Sequence, residues 1–513
     1  MFPWKATVGS RYGEDAGDPG GVKEHGTDGD GRVEGPGRST AVLIESIKYA
    51  NRDGYAQGRQ MRRGRAHDPV GETSPPPAEG GSGDHGTAGI AIKAKADPKC
   101  RFTSLAHILT PGFLKETCQQ MNRRGASGVD GETCAEFERD LETRVVDLWE
   151  RLKAGRYQAP PVRRVDIPKA GDPAGTRPLG IPTAEDRLLQ RAVARILSAI
   201  YEQDFMECSY GYRPGRNPHQ ALRVLRSRLM AGKVQYVYET DIRGYFTRIN
   251  HDWLRKMVVH RIADPVILRL VGKWLRAGVM QDGVVVRNRE GVSQCNPISP
   301  VLANLYLHHV LDLWFERRFK RGCRGAAHLI RFVDDFVVCF EHQAEADAFG
   351  RELAERMQKF GLGLKPEKTR LLLFGRSARG WAAAHGEKPG TFVFLGFKHV
   401  CGLDRRGKFA VVRIPAHDSC RKFLDRIHDW LKRHMHWNRR AQQAYLTTML
   451  RGFYQYFALH HCERKLDWVC REVQLQWIRT LRRRSQRHRL FWSYLSGRAW
   501  FELPRPRTLH PTV

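Results

Sequence analysis

The most constraining stretch of the sequence runs Leu329-Ile330-Arg331-Phe332-Val333-Asp334-Asp335-Phe336-Val337-Val338-Cys339-Phe340, an apolar run interrupted by two adjacent carboxylates. Residues 329–331 and 336–340 read as strands and Val333-Asp334-Asp335 as the turn between them, so the segment is a predicted hairpin. Acidic side chains gain nothing from an apolar strand. Either the pair simply makes a turn, where Asp is common, or it sits at the hairpin tip to meet a cation.

A third carboxylate lies 93 positions earlier. Residues 234–241 read as a strand with Tyr236, Tyr238 and Thr240 on one face and Val237, Glu239 and Asp241 on the other. Ile242-Arg243-Gly244-Tyr245-Phe246 follows, so Asp241 is expected at the sheet edge where the chain bends away near Gly244. Carboxylates converging there could hold Mg2+, which shares its shell with substrate phosphates; a pair of such ions clamps the attacking and leaving oxygens of an in-line phosphoryl transfer.

Charge narrows the partner. Lys and Arg number 86 against 55 Asp and Glu, a net +31 with a pI near 10.0, which points to a polyanion and first to nucleic acid. The eleven cysteines are scattered singly, without a C-x2-C pair, and read as reduced structural thiols. No apolar run approaches a membrane span and the N-terminus lacks the apolar core of a secretory signal, so the expected location is the cytoplasm, including the bacterial nucleoid.

Along the chain, the first ninety residues hold 19 of the 49 glycines and the tracts Ser74-Pro75-Pro76-Pro77 and Gly80-Gly81-Ser82-Gly83; they are expected to be largely disordered, with a basic stretch at 41–65. From about Phe102 to 233 the pattern is predominantly helical. Then come the strand at 234–241, helices at 251–261 and 300–319, the hairpin, a helix through Phe349, Leu353, Met357 and Phe360 ending at Gly361, and strands at 370–374 and 391–397. That order predicts an α+β sheet covered by helices on one side. Residues 415–513 carry 20 Lys/Arg against seven Asp/Glu and six of the twelve tryptophans, with helical periodicity throughout; more than half of those tryptophans are expected in the core.

The order of motifs resembles the reverse transcriptases, specifically the group II intron reverse transcriptase/maturases, over roughly Phe102 to Pro511. Arg177-Pro178-Leu179-Gly180-Ile181-Pro182 with Glu185-Asp186-Arg187 is similar to the early fingers motifs, and Cys208-Ser209-Tyr210-Gly211-Tyr212-Arg213-Pro214-Gly215-Arg216 to the next. Residues 238–250 match the motif of the first metal-binding aspartate, 293–308 the Gln-Gly-Gly and Ile-Ser-Pro motif, 331–340 the Asp-Asp motif, 360–373 the one after it, and 394–397 the primer-gripping turn.

The resemblance implies a right-hand polymerase: an N-terminal extension at 1–98, fingers at 99–233, palm at 234–405, and a basic helical thumb/maturase (domain X-like) region at 406–513. It further implies that Asp241, Asp334 and Asp335 form the catalytic centre, binding two Mg2+ ions (Mn2+ as substitute) with the Ile242 carbonyl as a further ligand. Phe246 would stack beneath the sugar of the incoming deoxynucleoside triphosphate and exclude a 2′-hydroxyl; the alternative is an ordinary core phenylalanine. Lys169 and Arg177, flanking a flexible loop, and Gln294 would contact the nucleotide. Lys368 would donate a proton to pyrophosphate, or is a surface lysine. Leu395, Gly396 and Phe397 would grip the primer, and Arg451, Arg482, Arg483, Arg484 and Arg487 would bind RNA.

Two departures stand out. Phe332-Val333 replaces the usual Tyr-Ala, and Gln294-Cys295-Asn296 replaces Gln-Gly-Gly; the second matters if glycine is needed for positive φ or close approach. No paired cysteines follow the thumb, so an HNH endonuclease is not expected. The implied partners are the group II intron RNA, an RNA template and a DNA primer or target. Alternatives are an RNA-binding splicing factor with a degenerate polymerase site, or another bacterial reverse transcriptase of the retron or diversity-generating type.

Overall fold

The computed structural model describes residues 85–513 apart from 124, 169–175, 288–289, 485–489 and 512. Most of the expected extension, including the basic stretch 41–65, therefore lies outside the described residues. Its last part does not behave as an extension. Helix α1 (His85–Ala96) lies inside 1–98 and docks on α4 (Ala184–Tyr201), burying Ile90 and Ala94. The Arg261 guanidinium donates to the Ala94 and Asp97 carbonyls at 3.1 and 3.2 Å, satisfying acceptors that a helix end leaves open. The glycine-rich composition around α1 hid it.

Residues up to 233 form α2 (Pro111–Gln119), α3 (Leu141–Lys153), α4 and α5 (Pro218–Met230), but not helices alone. Strands β1 (Val162–Pro168) and β2 (Thr176–Ile181) make an antiparallel hairpin with Pro168 opposite Thr176. Arginines and prolines in both strands broke the apolar alternation that would have announced them. With β4 (Val279–Gln281) and β5 (Val284–Val286) they form a sheet of order β2-β1-β4-β5. Between lie β3 (Tyr236–Asp241), α6 (His251–Val259) and α7 (Pro265–Arg276).

The central sheet has order β6-β7-β3-β8, from β6 (Ala327–Phe332), β7 (Asp335–Phe340), β3 and β8 (Arg370–Leu373), all antiparallel neighbours. The alternation expected for β3 holds: Tyr238 enters one core and Val237 the other. The sheet is covered on both faces, correcting the expectation of one. On one side Leu329, Phe336, Val338 and Phe340 meet α8 (Ser299–Leu307, continuing through π turns to Phe319) and α9 (Gln343–Lys359). Phe349 of α9 touches the rings of Tyr238, Trp314, Phe315, Phe319 and Phe340, so truncating it would cost ~3–5 kcal/mol. On the other side Ile330, Val337 and Cys339 meet Leu222, Leu225 and Leu229 of α5. A continuous apolar hairpin such as β6–β7 is what two covered faces require.

After α10 (Ala378–Ala384), the strand expected at 391–397 is two strands, β9 (Thr391–Phe394) and β10 (Phe397–Leu403), joined by a two-residue turn; β11 (Phe409–Pro415) pairs with β10. The boundary expected at 405/406 falls inside the β10–β11 hairpin, which precedes the helices α11 (His417–Arg433), α12 (Arg439–Phe457) and α13 (Glu463–Arg482). Of the six tryptophans in 415–513, only Trp430 and Trp477 are buried, while Trp437, Trp468 and Trp492 are exposed. This reverses the expectation that most serve the core.

Candidate active site

The β6–β7 hairpin closes with Phe332 opposite Asp335, leaving Val333 and Asp334 as the turn. Val333 has φ +61°, a left-handed conformation costly for a β-branched residue. What holds it there is a buried polar network. Arg331, fully buried in β6, donates to the Val333 carbonyl at 2.9 Å and to Asn304 Oδ1 at 3.1 Å, and forms a two-pronged ion pair with Asp312 at 2.7 and 2.5 Å. Asn304 in turn donates to the Gly211 carbonyl at 2.7 Å. A Cβ on Gly211 would fall 2.6 Å from the Val333 nitrogen, so only glycine admits this approach. A helix, the hairpin and the Tyr210-Gly211-Tyr212 segment are thereby fixed around one turn.

Register brings the carboxylates together: Asp241, last in β3, pairs directly with Asp335, first in β7, and Asp334 precedes it on the turn. Gly244, with φ +55°, turns the chain away after Asp241 as expected. The Asp241 carboxylate accepts from Lys365 Nζ at 2.7 Å and Lys368 Nζ at 2.9 Å. Partial burial would raise its pKa, but the two ammonium groups more than offset this and hold it below the usual carboxylate range. The reciprocal effect raises Lys368.

Asp335 behaves oppositely. Its side chain is open to solvent at the edge of the cleft yet crowded by protein, which pushes its carboxyl up to about 7; the Leu395 N–H opposes the rise, and Asp334, Asp241 and Glu239 add to it. Solvent access screens part of that rise. Such crowded carboxylates suit a hard divalent cation. Among the described residues no three His, Cys, Asp or Glu side chains form a closed metal cage. This donor set fits an ion that completes its shell with phosphate oxygens. Ile242, buried, is bridged to Leu364 beside Asp241.

A cavity of about 520 Å³ is lined by Gly180, Thr247, Gln294, Asn296 and Ser299 among others. Gly180 of β2 abuts the loop carrying Gln294, with Ser293 Oγ donating to its carbonyl at 3.1 Å. Cys295 and Asn296 are not among the residues with positive φ, so the missing glycines impose no such backbone strain. Asn296 is buried, its Oδ1 without a hydrogen-bond partner among the described residues, and burial pushes the Cys295 thiol up to about 11. Phe246 is half-buried, its ring edge-on to Tyr245 at 5.4 Å, neither a sealed core residue nor a free one. Arg177 is placed by its backbone, opposite Ile167; Lys169 lies outside the described residues.

The Leu395-Gly396 turn reaches this centre, because Leu395 N–H donates to Asp335 Oδ2 at 3.4 Å. Both residues have positive φ, +50° and +77°, the geometry of a tight hairpin turn. Phe397 is fully buried against Phe457, so its ring serves the core. Arg451 is exposed on α12; Arg482 and Arg483 are exposed at the end of α13; Arg484 is half-buried and donates to the Trp437 carbonyl at 2.6 Å; Arg487 lies outside the described residues. Asp186, from an early motif, is a buried structural residue bonded to Tyr157, Gln190 and Trp274, and burial raises it to about 6.

Sequence reasoning missed Lys365, the Arg331–Asp312–Asn304 network and Tyr456, whose hydroxyl donates to the Leu395 carbonyl at 3.0 Å. The signal for Arg331 was present: a charged residue inside an apolar strand demands a buried partner. Nothing local names that partner.

The family described as reverse transcriptase (RNA-dependent DNA polymerase) matches residues 167–399, which hold all three aspartates. Protein YkfC of Escherichia coli (strain K12) is 30% identical over 368 residues, 65% of this chain and 92% of that protein. Group II intron-encoded protein LtrA of Lactococcus lactis subsp. cremoris is 35% identical over 223 residues, 43% of this chain and 36% of LtrA, so this match spans only about a third of that relative. A 91 kDa protein in the cob intron of Schizosaccharomyces pombe is 36% identical over 173 residues, 34% of this chain and 21% of that protein. The chain belongs to the reverse transcriptase family and is related to proteins encoded by group II introns.

Proposed function

We propose that this protein is an RNA-directed DNA polymerase that also binds its group II intron RNA and assists splicing and intron mobility in the bacterial cytoplasm. The observation that carries the polymerase reading is the pairing of Asp241 with Asp335 beside Asp334, on strands whose turn is fixed by buried Arg331. Asp241 and Asp334 would hold two Mg2+ ions, or Mn2+, with Asp335 supporting the pair and the Ile242 carbonyl as a further ligand. When bound, these ions would activate the primer 3′-hydroxyl and neutralise charge on the transferred phosphoryl group.

The chain's own residues then orient the reactants. Gln294 would contact the nucleotide, Arg177 and Lys169 remaining candidates on the sequence resemblance alone; Phe246 would stack under its sugar, and Leu395 and Gly396 would present backbone to the primer. Lys365 and Lys368, both bonded to Asp241, would neutralise the departing pyrophosphate once released from that carboxylate, with Lys368 donating a proton. Neither Cys295 nor Asn296 adopts the positive φ that would demand glycine, so the departure does not by itself argue for a relic site.

Exposed Arg451, Arg482 and Arg483, together with Trp437, Trp468 and Trp492, give the C-terminal helices the cations and open rings that phosphates and unstacked bases bind. The names of LtrA and of the fungal intron protein support an intron RNA as the partner. Among the described residues no helix is long and apolar enough to cross a membrane. The test is primer extension on an RNA template alongside retention of the precursor RNA from the chain's own locus. Absence of extension with RNA binding intact would leave a splicing factor.

A further inference from the structure

The turn at Leu395-Gly396 is held from three directions. Leu395 N–H faces the Asp335 carboxylate at 3.4 Å, while its carbonyl accepts the Tyr456 hydroxyl at 3.0 Å from α12. The Gly396 carbonyl accepts the Ala416 N–H at 2.9 Å and Ser419 Oγ at 3.3 Å, where α11 begins. Both carbonyls of the turn are therefore bound by the C-terminal helical region and its amide by the catalytic centre.

Tyr456 is itself fixed. Its ring lies 5.7 Å from Phe397 and 5.4 Å from His219 of α5, and His219 Nε2 contacts its backbone carbonyl at 2.9 Å. Leu395 pays a conformational cost at φ +50°, where a side chain other than Gly or Asn is disfavoured, so the turn keeps its shape only if its surroundings enforce it. A single hydroxyl on a braced ring is well placed to do so.

We propose that Tyr456 is a positioning residue that ties the Leu395-Gly396 turn to α12, so that seating of the C-terminal helices sets the alignment of the primer end at Asp335. This rests on the reading of Leu395–Gly396 as the primer grip, and it adds a coupling between the RNA-binding region and the catalytic centre. Because Leu395 is bonded through its carbonyl to Tyr456 and through its N–H to Asp335, a change in its φ and ψ when one contact loosens moves the other.

The test is Tyr456→Phe in the full chain, which removes one oxygen and leaves the ring packed. Single-nucleotide addition should slow by about threefold to tenfold, the range a lost hydrogen bond supports. The dNTP concentration for half-maximal rate should not change, and amide exchange in the peptide spanning the turn should accelerate. Adding Leu395→Gly should restore most of the rate, since glycine adopts φ +50° without the strain that the tether offsets. A general loosening of the helices would instead lower the melting temperature and would not be rescued at Leu395. Unchanged rate and exchange in Tyr456→Phe overturns the proposal, as does a rate loss that Leu395→Gly leaves in place. If the wild type extends no primer, the polymerase reading fails separately, and amide exchange alone decides the tether: unchanged exchange overturns it and faster exchange supports it.

Discussion

Replacing Arg331 by Met tests whether the catalytic turn depends on the buried network beneath it. Methionine fills similar space but removes every donor. Asp312, with no exposed side-chain surface, would lose its counter-charge, while Asn304 Oδ1 and the Val333 carbonyl would each lose a bond. Breaking one side of a buried pair costs about 3–5 kcal/mol, because the remaining charge stays desolvated. A loss of that size lowers the melting transition of the palm by roughly 10 °C. Differential scanning calorimetry and tryptophan fluorescence at pH 7 would read it. Removing the stranded charge as well, in Arg331→Met/Asp312→Leu, should recover most of the lost stability, since apolar replacement of a buried pair is often neutral. A single mutant within about 1 kcal/mol of wild type would show that the turn does not depend on this network, as would a double mutant no better than the single.

Three further outcomes follow from the geometry. His308 and His399 are buried and held at about 3, chiefly by desolvation, so between pH 6.5 and 3 the unfolded chain binds protons that the folded one cannot. Stability should fall as pH drops through that window, and His399→Phe, keeping the stack on Phe392, should narrow the melting-temperature gap between pH 7 and pH 5; an unchanged gap would exclude His399 as a cause. Phe246→Ala should raise ribonucleotide incorporation relative to deoxynucleotides by roughly tenfold, and unchanged discrimination in a competition assay would make Phe246 a packing residue. Cys295→Gly with Asn296→Gly should give no gain in primer extension and cost about 1–2 kcal/mol of stability, because neither position needs a glycine conformation; a severalfold gain would mean that the side chains crowd the pocket.

The elements legible in the sequence were those whose hydrophobic period is uninterrupted. The β6–β7 hairpin, β3 with its bend at Gly244, and α9 ending at Gly361 all carry strong local signals and lie where expected. The β1–β2 hairpin was lost because arginines and prolines replace its alternation, and α1 because glycines surround it. Asp241, Asp334 and Asp335 could be found because carboxylates beside apolar strands are conspicuous. Lys365, Asp312 and Tyr456 could not, since each acts across more than 15 positions of chain and only the fold brings it to its partner. The tryptophans of the last hundred residues misled for a related reason: amphipathic spacing says that one face is buried, but not which large rings are left outside.

We propose that Asp334 belongs to a metal-dependent polymerase centre distinct from the RNA-binding surface of the C-terminal helices. Asp334→Asn removes a negative oxygen ligand at nearly constant volume and leaves Arg451, Arg482 and Arg483 untouched. Primer extension on an RNA template and splicing of the precursor RNA at low Mg2+ should be measured on the same preparations of wild type and mutant, with a melting curve for each. Extension should fall by about three orders of magnitude, equivalent to roughly 4 kcal/mol of lost transition-state stabilisation, while splicing assistance persists. A mutant that extends primers at close to the wild-type rate would contradict this proposal.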